Sequence, residues 1–269
     1  MSTAHSATTD GEDSAPPIST VAGTGDAGFT GDNGPAVSAQ LKQPYEIAVD
    51  STGTLYIADY GNNRVRKITT DGKISTVAGT GTRGFSGDCG LAVSAQLNYP
   101  RGVAVDSAGA VYIADAGNHR VRKITADGKI CTVAGTDTKG FSGDDGPATA
   151  AQLDGPYAVA VDSTGVLYVA DYNNRRVRKI TTDGMISTVA GTGTAGSDGD
   201  GGPAVSAQLS RPRGMAVGRA GDLYIADAGN HQVRKITADG KISTVAGTDT
   251  KGFSGDDGPA TAAQLNAPF

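Results

Sequence analysis

Apolar and polar positions alternate in short runs along most of this chain, and the runs recur at a fixed interval. The segment "ISTVAG" at residues 18–23 returns in phase, once with Cys in place of Ser, at 74–79, 130–135, 186–191 and 242–247. The interval is 56 residues each time, without insertion or deletion. A fixed repeat of this kind indicates a solenoid, a propeller or another array whose stacked units share one continuous core.

One unit contains four strand-like runs. In the first unit these are "YEIAVD" (45–50), "TLYIAD" (54–59), "RVRKIT" (64–69) and "KISTVAG" (73–79), the last after an Asp-Gly pair suited to a tight hairpin. Four short antiparallel strands in tandem units predict an all-β fold, a β-propeller of four-stranded blades. The blades are expected at approximately 43–79, 99–135, 155–191 and 211–247.

Long connectors join the blades and carry their own pattern. In the first connector, "GPAVSAQL" (34–41) has Pro at a plausible first helical position before helix formers, which predicts one or two helical turns. Repeated leucines are expected to anchor this helix in the core, at Leu41, Leu97, Leu153, Leu209 and Leu265. Repeated phenylalanines are expected to anchor the Gly-rich half, at Phe29, Phe85, Phe141 and Phe253.

The repeat leaves surplus pieces at both ends. Five "ISTVAG"-type segments accompany only four inner strands, so residues 18–269 are expected to form four full blades with an orphan outer strand at 18–23 and an incomplete connector at 248–269. Four blades can close a ring, or they can form an open part of a larger propeller. In the open form the orphan strand or the open blade edge would favour a homo-oligomer, because unpaired edges associate. Residues 1–17 are expected to be a disordered polar tail.

Composition narrows the classes of partner. The 269 residues carry 40 glycines and a net charge of −5, which argues against a broad phosphate-binding surface and a nucleic-acid partner. No apolar run approaches the ~20 residues that cross a bilayer, so no membrane partner is expected. The start lacks a signal-peptide pattern, which predicts a cytoplasmic location if Met1 is the native start and leaves an extracellular one open. Cys89 and Cys131 occupy different repeat positions, so no disulfide framework is expected.

At "ADAGNHRVRKI" (114–124) the chain resembles the NHL-repeat family, named for an Asn-His-Leu signature between the second and third strands. Asn118-His119 and Asn230-His231 match the first two positions, and connectors such as "GFSGDDGPATAAQL" are similar to those of bacterial and teneurin-type members. The resemblance covers residues 18–269 and implies a propeller, usually of six blades. It also implies rival functions, since some related propellers are lyases or hydrolases with a central metal and some animal members bind RNA.

Several repeated polar positions favour structural roles. The two in-phase histidines lack further ligands, so neither a metal nor another cofactor is expected. Aspartates that end the second strands are expected to form structural ion pairs with the arginines that begin the third strands, namely Asp59, Asp115, Asp171 and Asp227 with Arg64, Arg120 and Arg176. Connector aspartates are expected to close their own turns rather than bind calcium, at Asp32, Asp88, Asp144, Asp200 and Asp256. The "RVRK" runs are expected to form a solvated basic face, and no catalytic Ser-His-Asp or Cys-His set can be assembled.

One set of positions is better suited to binding. The residues after the repeated proline are expected at the channel mouth, namely Tyr45, Arg101, Tyr157 and Arg213, with Glu46 beside the first. Loops on the same face add Tyr60, His119, Tyr172, Arg175 and His231. Tyr and Arg alternate here from blade to blade, and both are favoured at recognition sites, although duplication of a two-blade unit would give the same alternation.

The sequence therefore predicts a non-enzymatic scaffold that presents its channel face to a protein, peptide or glycan. The alternatives are a propeller enzyme with a central site, or a truncated repeat fragment without an independent function.

Overall fold

The computed structural model describes residues 17–269, so nearly all of the polar tail expected at 1–17 lies outside the described residues. Backbone hydrogen bonds organise this part of the chain into four antiparallel sheets. In each sheet four consecutive strands lie side by side in chain order. The chain is an all-β, four-bladed β-propeller, as the repeat predicted.

The strands follow the predicted runs closely. Blade 1 comprises β1 (Pro44–Val49), β2 (Leu55–Asp59), β3 (Arg64–Ile68) and β4 (Ile74–Ala78). A short β5 (Gly90–Leu91) precedes blade 2, which comprises β6 (Pro100–Val105), β7 (Val111–Asp115), β8 (Arg120–Ile124) and β9 (Lys129–Ala134). A short β10 (Gly146–Pro147) precedes blade 3, which comprises β11 (Pro156–Val161), β12 (Leu167–Asp171), β13 (Arg176–Ile180) and β14 (Met185–Ala190). Blade 4 comprises β15 (Pro212–Val217), β16 (Leu223–Asp227), β17 (Gln232–Ile236) and β18 (Ile242–Ala246).

Each connector carries a single turn of 3₁₀-helix, at Ala36–Ser38, Ala92–Ser94, Ala148–Ala150, Ala204–Ser206 and Ala260–Ala262. Immediately before this turn, two of the connectors pair with the outer strand of the blade that follows, β5 with β9 and β10 with β14. This pairing covers part of an outer edge that would otherwise be open. The predicted leucine anchors are fully buried in the three internal connectors, at Leu97, Leu153 and Leu209.

Neighbouring blades pack face to face through apolar side chains. At the first junction Ala58 and Val65 of blade 1 share a cluster with Val103, Val111 and Ile113 of blade 2. Equivalent clusters join blade 2 to blade 3 and blade 3 to blade 4. Small apolar residues on the face of one blade thus pack against β-branched residues of the next blade. The apolar area that this packing removes from water stabilises each junction.

On the outward face of blade 1, Ile57, Ile68 and Ile74 are buried against the first connector, but the inner strand β1 has no such cover among the described residues. Ile47 of β1 is 57% exposed, whereas its equivalents Val103 and Val159 are 2% exposed. Val49 is 58% exposed, whereas its equivalents Val105 and Val161 are partly buried. The four described blades therefore form an open arc, with no fourth junction over these two side chains. Residues 18–23, expected as an orphan outer strand, form no strand and are mostly exposed.

A buried arginine braces each blade, and the solvated basic face expected for the "RVRK" runs is wrong. The second arginine of each run has no exposed surface, at Arg66, Arg122, Arg178 and Arg234. The Arg66 guanidinium lies 2.8 Å from Asp32 Oδ1 in the connector and 3.4 Å from Asp59 Oδ2 at the end of β2. The predicted partner Arg64 is at the strand end beside the outgoing connector, so its guanidinium donates to the carbonyl of Thr80 at 2.5 Å instead. The ion pair is structural, but its arginine is two residues further along the strand than predicted.

The connector side chains also have partners other than those predicted. Asp32 does not close its own turn, because its second carboxylate oxygen accepts a hydrogen bond from Thr76 Oγ1 of β4 at 2.8 Å. Phe29 is 37% exposed, and its ring centroid lies 3.6 Å from the Arg64 guanidinium carbon and 4.7 Å from that of Arg66. This phenylalanine therefore covers two arginines rather than anchoring an apolar core. Phe85 and Phe141 repeat the arrangement.

The two cysteines form a disulfide, which corrects the expectation that the chain has no disulfide framework. Cys89 lies in the connector that pairs with the outer strand of blade 2, and Cys131 lies in that strand. The Cys89 N–H donates to the carbonyl of Ile130, so the connector brings the two residues side by side although they occupy different repeat positions. The bond closes a segment with a sequence separation of 42.

Candidate binding site at the channel mouth

The four inner strands bring the predicted channel-mouth residues together. Each inner strand begins at a proline, and its register with the neighbouring strand shifts immediately afterwards. The side chains that follow these prolines line one cavity of about 800 Å³, to which every blade contributes. The predicted residues in this lining are Tyr45, Glu46, Arg101, Tyr157 and Arg213.

Arg101 is held among three tyrosine rings. Its guanidinium carbon lies 3.8 Å from the ring centroid of Tyr157, 4.8 Å from that of Tyr60 and 4.9 Å from that of Tyr45. Its Nη2 also donates to the Tyr60 hydroxyl at 3.4 Å. Since a cation is attracted to the face of an aromatic ring, rings from blades 1 and 3 fix the arginine of blade 2 between them.

The alternation in the sequence becomes an alternation of tyrosine pairs and single arginines. Tyr45 and Tyr60 of blade 1 have ring centroids 4.8 Å apart, and Tyr157 and Tyr172 of blade 3 are stacked at 4.0 Å. Blades 2 and 4 have alanine at the loop position, so only their arginines extend into this space. The Arg213 guanidinium carbon lies 5.9 Å and 6.0 Å from the two rings of the blade 3 pair.

The charge of the two channel arginines is uncompensated. Within residues 17–269, neither Arg101 nor Arg213 forms a salt bridge, whereas each buried third-strand arginine has two carboxylates. The Arg213 Nε is buried without a hydrogen-bond partner. Because a guanidinium stays protonated in proteins, both groups bring positive charge into the cavity.

Glu46 is the single acidic side chain among the described residues that line the cavity. Its Oε2 accepts a hydrogen bond from the backbone N–H of Val103 at 3.1 Å. Burial raises the pKa of Glu46 to about 8, and the Val103 hydrogen bond opposes this shift only in part. The carboxyl is therefore mostly neutral at pH 7 and leaves the positive charge of the arginines in place.

The three basic residues of the candidate loop set have structural partners outside the cavity. His119 Nδ1 accepts the N–H of Gly155 at 3.1 Å, and His231 Nδ1 accepts the N–H of Ala267 at 3.0 Å. Both histidines have a left-handed backbone, with φ of 54° and 55°, a conformation that Asn, Asp and His adopt more often than other residues with a side chain. Arg175 donates to the carbonyl of Gly193 at 3.1 Å.

Sequence reasoning missed the apolar residues that line the cavity and an aromatic neighbour of the cavity. That neighbour is Tyr99, which is not part of the cavity lining but stacks on Tyr60 at 4.8 Å. The Arg83 guanidinium carbon lies 4.7 Å from the Tyr99 ring centroid, and Arg83 also lies outside the lining. The available signal was that residue 99 precedes the repeated proline and differs from its equivalents at Gln43, Gly155 and Arg211. The apolar floor was not predictable from the repeat, because it depends on how the arc is open, and it includes Ile47, Met215, Ile225, Val233 and Phe269.

Neither a cluster of metal ligands nor a membrane-spanning helix occurs within residues 17–269. No group of three or more His, Cys, Asp or Glu side chains is arranged to hold a metal ion there. No helix in this range is both long enough and apolar enough to span a bilayer.

Comparison with known families gives two matches. The model described as "NHL repeat" matches residues 97–124, and the model described as "Teneurin NHL domain" matches 7–84, 137–198 and 194–265, together well over half of the chain. Teneurin-4 of Mus musculus is 34% identical over 249 residues, which cover 80% of this chain and 9% of that protein. The chain therefore spans about a tenth of the length of this relative. Of the two versions expected from the connectors, the matches support the teneurin type.

Solved structures show the same fold at low identity. The structure titled "Streptogramin B lyase structure" superposes with a TM-score of 0.55 at 18% identity, covering 82% of this chain and 62% of that one. A chain of the "Nidogen/Laminin Complex" superposes with a TM-score of 0.54 at 18% identity, covering 76% of this chain and 65% of that one. At this identity the likeness concerns the fold alone, and the first protein is an enzyme whereas the second is part of a protein complex.

Proposed function

Because this chain belongs to the teneurin NHL domain family, we propose that it is a non-enzymatic scaffold that binds a protein, peptide or glycan at the mouth of its central channel. The observation that carries this proposal is the cavity of about 800 Å³ lined by Tyr45, Glu46, Arg101, Tyr157 and Arg213. Tyrosine and arginine supply large contact area and several hydrogen-bond donors, which is why they dominate recognition sites.

The chemistry of the cavity favours binding over catalysis. Glu46 is the one acid in the described lining of the cavity that could exchange a proton near pH 8, and the described lining contains no second acidic side chain, histidine or cysteine to act with it. A hydrolase or lyase needs a base, an acid or a metal placed around one reacting atom. The enzyme alternative, which has the fold of the streptogramin B lyase in its favour, would depend on Glu46 alone.

We further propose an oxidising compartment rather than the cytoplasm for this protein. The disulfide between Cys89 and Cys131 supports this location, because reducing conditions in the cytoplasm disfavour such bonds. A propeller in the nidogen and laminin complex is consistent with a protein partner, which would then be met outside the cytoplasm.

The test is a capture experiment that compares three forms of the protein with the same fold. Wild type, Arg101→Ala with Arg213→Ala, and the control Arg83→Ala would be immobilised and exposed to the same extract. We expect a partner on wild type and on the control that is absent from the double variant, while the melting temperatures of all three agree. Equal capture by the double variant would place binding elsewhere, and a large fall in its melting temperature would show that the two arginines are structural.

A further inference from the structure

The arginines of this chain fall into two groups according to their counterions. The four buried brace arginines each lie within 4 Å of two aspartates, one from the connector and one from the second strand. Arg101 and Arg213 have no carboxylate at that distance in the described part of the chain, and the polar contact of Arg101 is one tyrosine hydroxyl at 3.4 Å. Both are only partly exposed, so water compensates them less well than it would a surface side chain.

The tyrosine cluster restricts what Arg101 can bind. Rings lie against its guanidinium from Tyr45, Tyr60 and Tyr157, so its remaining donors lie at the edge of the group. Donors in that plane match the two oxygens of a carboxylate, which a guanidinium can bind through two parallel hydrogen bonds. Arg213 approaches the same Tyr157 ring, so a ligand in the cavity meets both cations.

The rest of the lining determines what the anionic group is attached to. Beside the arginines lies the apolar floor of the cavity, whose side chains are aliphatic or aromatic, namely Ile47, Met215, Ile225, Val233 and Phe269. A sugar ring would leave its hydroxyl groups without partners against such a floor, and an unpartnered buried hydroxyl is costly. An apolar side chain next to a carboxylate has no such penalty.

We propose that the channel mouth binds the carboxylate of a peptide together with a neighbouring apolar side chain, through Arg101 and Arg213 and the apolar floor. This inference rests on the proposed scaffold function and gives its ligand a chemical class. The neutral form of Glu46 supports it, because an ionised carboxylate in the same cavity would repel the ligand. Its Val103 hydrogen bond is the one polar contact that Glu46 makes among residues 17–269.

The test compares a carboxylate probe with its neutral amide and with an acidic sugar. N-acetylphenylalanine, N-acetylphenylalaninamide and glucuronate would be titrated at millimolar concentration into the full chain and followed by ligand-observed NMR. We expect the acid to bind at least about tenfold more tightly than the amide, since a charge-assisted hydrogen bond is lost in the amide. Arg101→Gln with Arg213→Gln should remove the preference, and Arg83→Gln, which packs on Tyr99 outside the cavity, should retain it.

Equal binding of acid and amide to wild type would overturn the carboxylate assignment and leave the channel as a binding site, so failure here is distinct from failure of the scaffold function. Tighter binding of glucuronate than of the phenylalanine acid would overturn the peptide assignment in favour of an acidic glycan. Absence of binding by all three probes would overturn the inference as well. The comparison of probes on wild type holds even if the double variant does not fold.

Discussion

Arginine occupies two kinds of environment in this propeller, and the carboxylates around it decide which. Arg178 is fully buried between Asp144 and Asp171, where charge and hydrogen bonding are matched. Arg176, two residues earlier on the same face, is partly exposed and donates to the carbonyls of Asn174 and Thr192. The sequence places both arginines on one face of the strand, so it predicts an ion pair with Asp171 but cannot say which arginine makes it. That choice depends on the path of the connector, a contact distant in sequence.

Loss of a brace arginine should be among the most destabilising changes in the chain. Arg178→Ala leaves Asp171 buried without its guanidinium, which we expect to lower the free energy of unfolding by about 3–5 kcal/mol. Arg176→Ala is the matched control, because it removes the neighbouring arginine without leaving a buried carboxylate unpaired. Urea unfolding followed by circular dichroism measures both. Equal decreases in the free energy of unfolding of the two variants would contradict the structural role of Arg178.

The ionisation of Glu46 should lower the free energy of unfolding as pH rises. Its pKa is about 8 in the folded chain and 4.5 for the free side chain, so the folded state binds the proton more tightly. The stabilisation is therefore complete below pH 4.5 and is lost as pH rises through 8. Glu46→Gln, which mimics the protonated form, should flatten this part of the stability curve. A wild-type curve that runs parallel to that of the variant between pH 5 and 9 would show that Glu46 ionises normally.

At the scale of the element, the connector is the part that the local pattern describes least. The strand periods, the Asp-Gly hairpins and the repeat interval were sufficient to predict blades and strand bounds, because those features depend on neighbouring residues. The connector between β4 and β6 instead gains its structure by crossing to β9, so the partners of its aspartate and the pairing of Cys89 could not be deduced from repeat position. The candidate site was predictable in its ring of Tyr and Arg, because alternation marks it, and not in its apolar floor.

The disulfide should stabilise the element that it joins. Closing a segment of 42 residues is expected to contribute about 4 kcal/mol by restricting the unfolded chain. Cys131→Ser reproduces the residue found at the equivalent position of blade 4, Ser243, and should lower the free energy of unfolding by about this amount. A reducing agent should destabilise wild type and leave the variant unchanged. If reduction affects both proteins equally, another effect of the reagent is being measured.

At the scale of the whole molecule, the three junctions between blades are built in the same way, and the two end blades each keep a face of this type that no further blade covers. Ile47 and Val49 are exposed on blade 1, and on blade 4 the forward face includes Ala216, which is exposed, and Val233, which is only partly buried. These two faces have the same small and β-branched residues that pack together at the internal junctions. We therefore propose that one copy of the chain packs its blade 4 against blade 1 of another. This contact would cover Ile47 and Val233 of the cavity floor, so it would compete with a ligand bound there.

This packing predicts a self-associating chain. Light scattering at micromolar concentration should give a mass at or above twice 26.9 kDa. Ile47→Asp with Val49→Asp should shift the mass to that of one chain, because two charges would be buried without partners at the junction. Val93→Asp changes an equally exposed valine in a connector and should leave the mass unchanged. A wild-type chain that is monomeric with a cooperative melt would refute the association.

The bond between Cys89 and Cys131 also has a mechanical meaning. When a chain is pulled by its ends, each unfolded residue adds roughly 3.3–3.6 Å of length. The residues between the two cysteines cannot take up force while the bond is intact, so a separation of 42 conceals on the order of 140 Å of extension. An oxidised chain under tension should therefore lengthen by a shorter step when blade 2 gives way than when blade 3 does, and reduction should restore the missing length. The redox state of the surroundings would therefore determine how far blade 2 extends under tension.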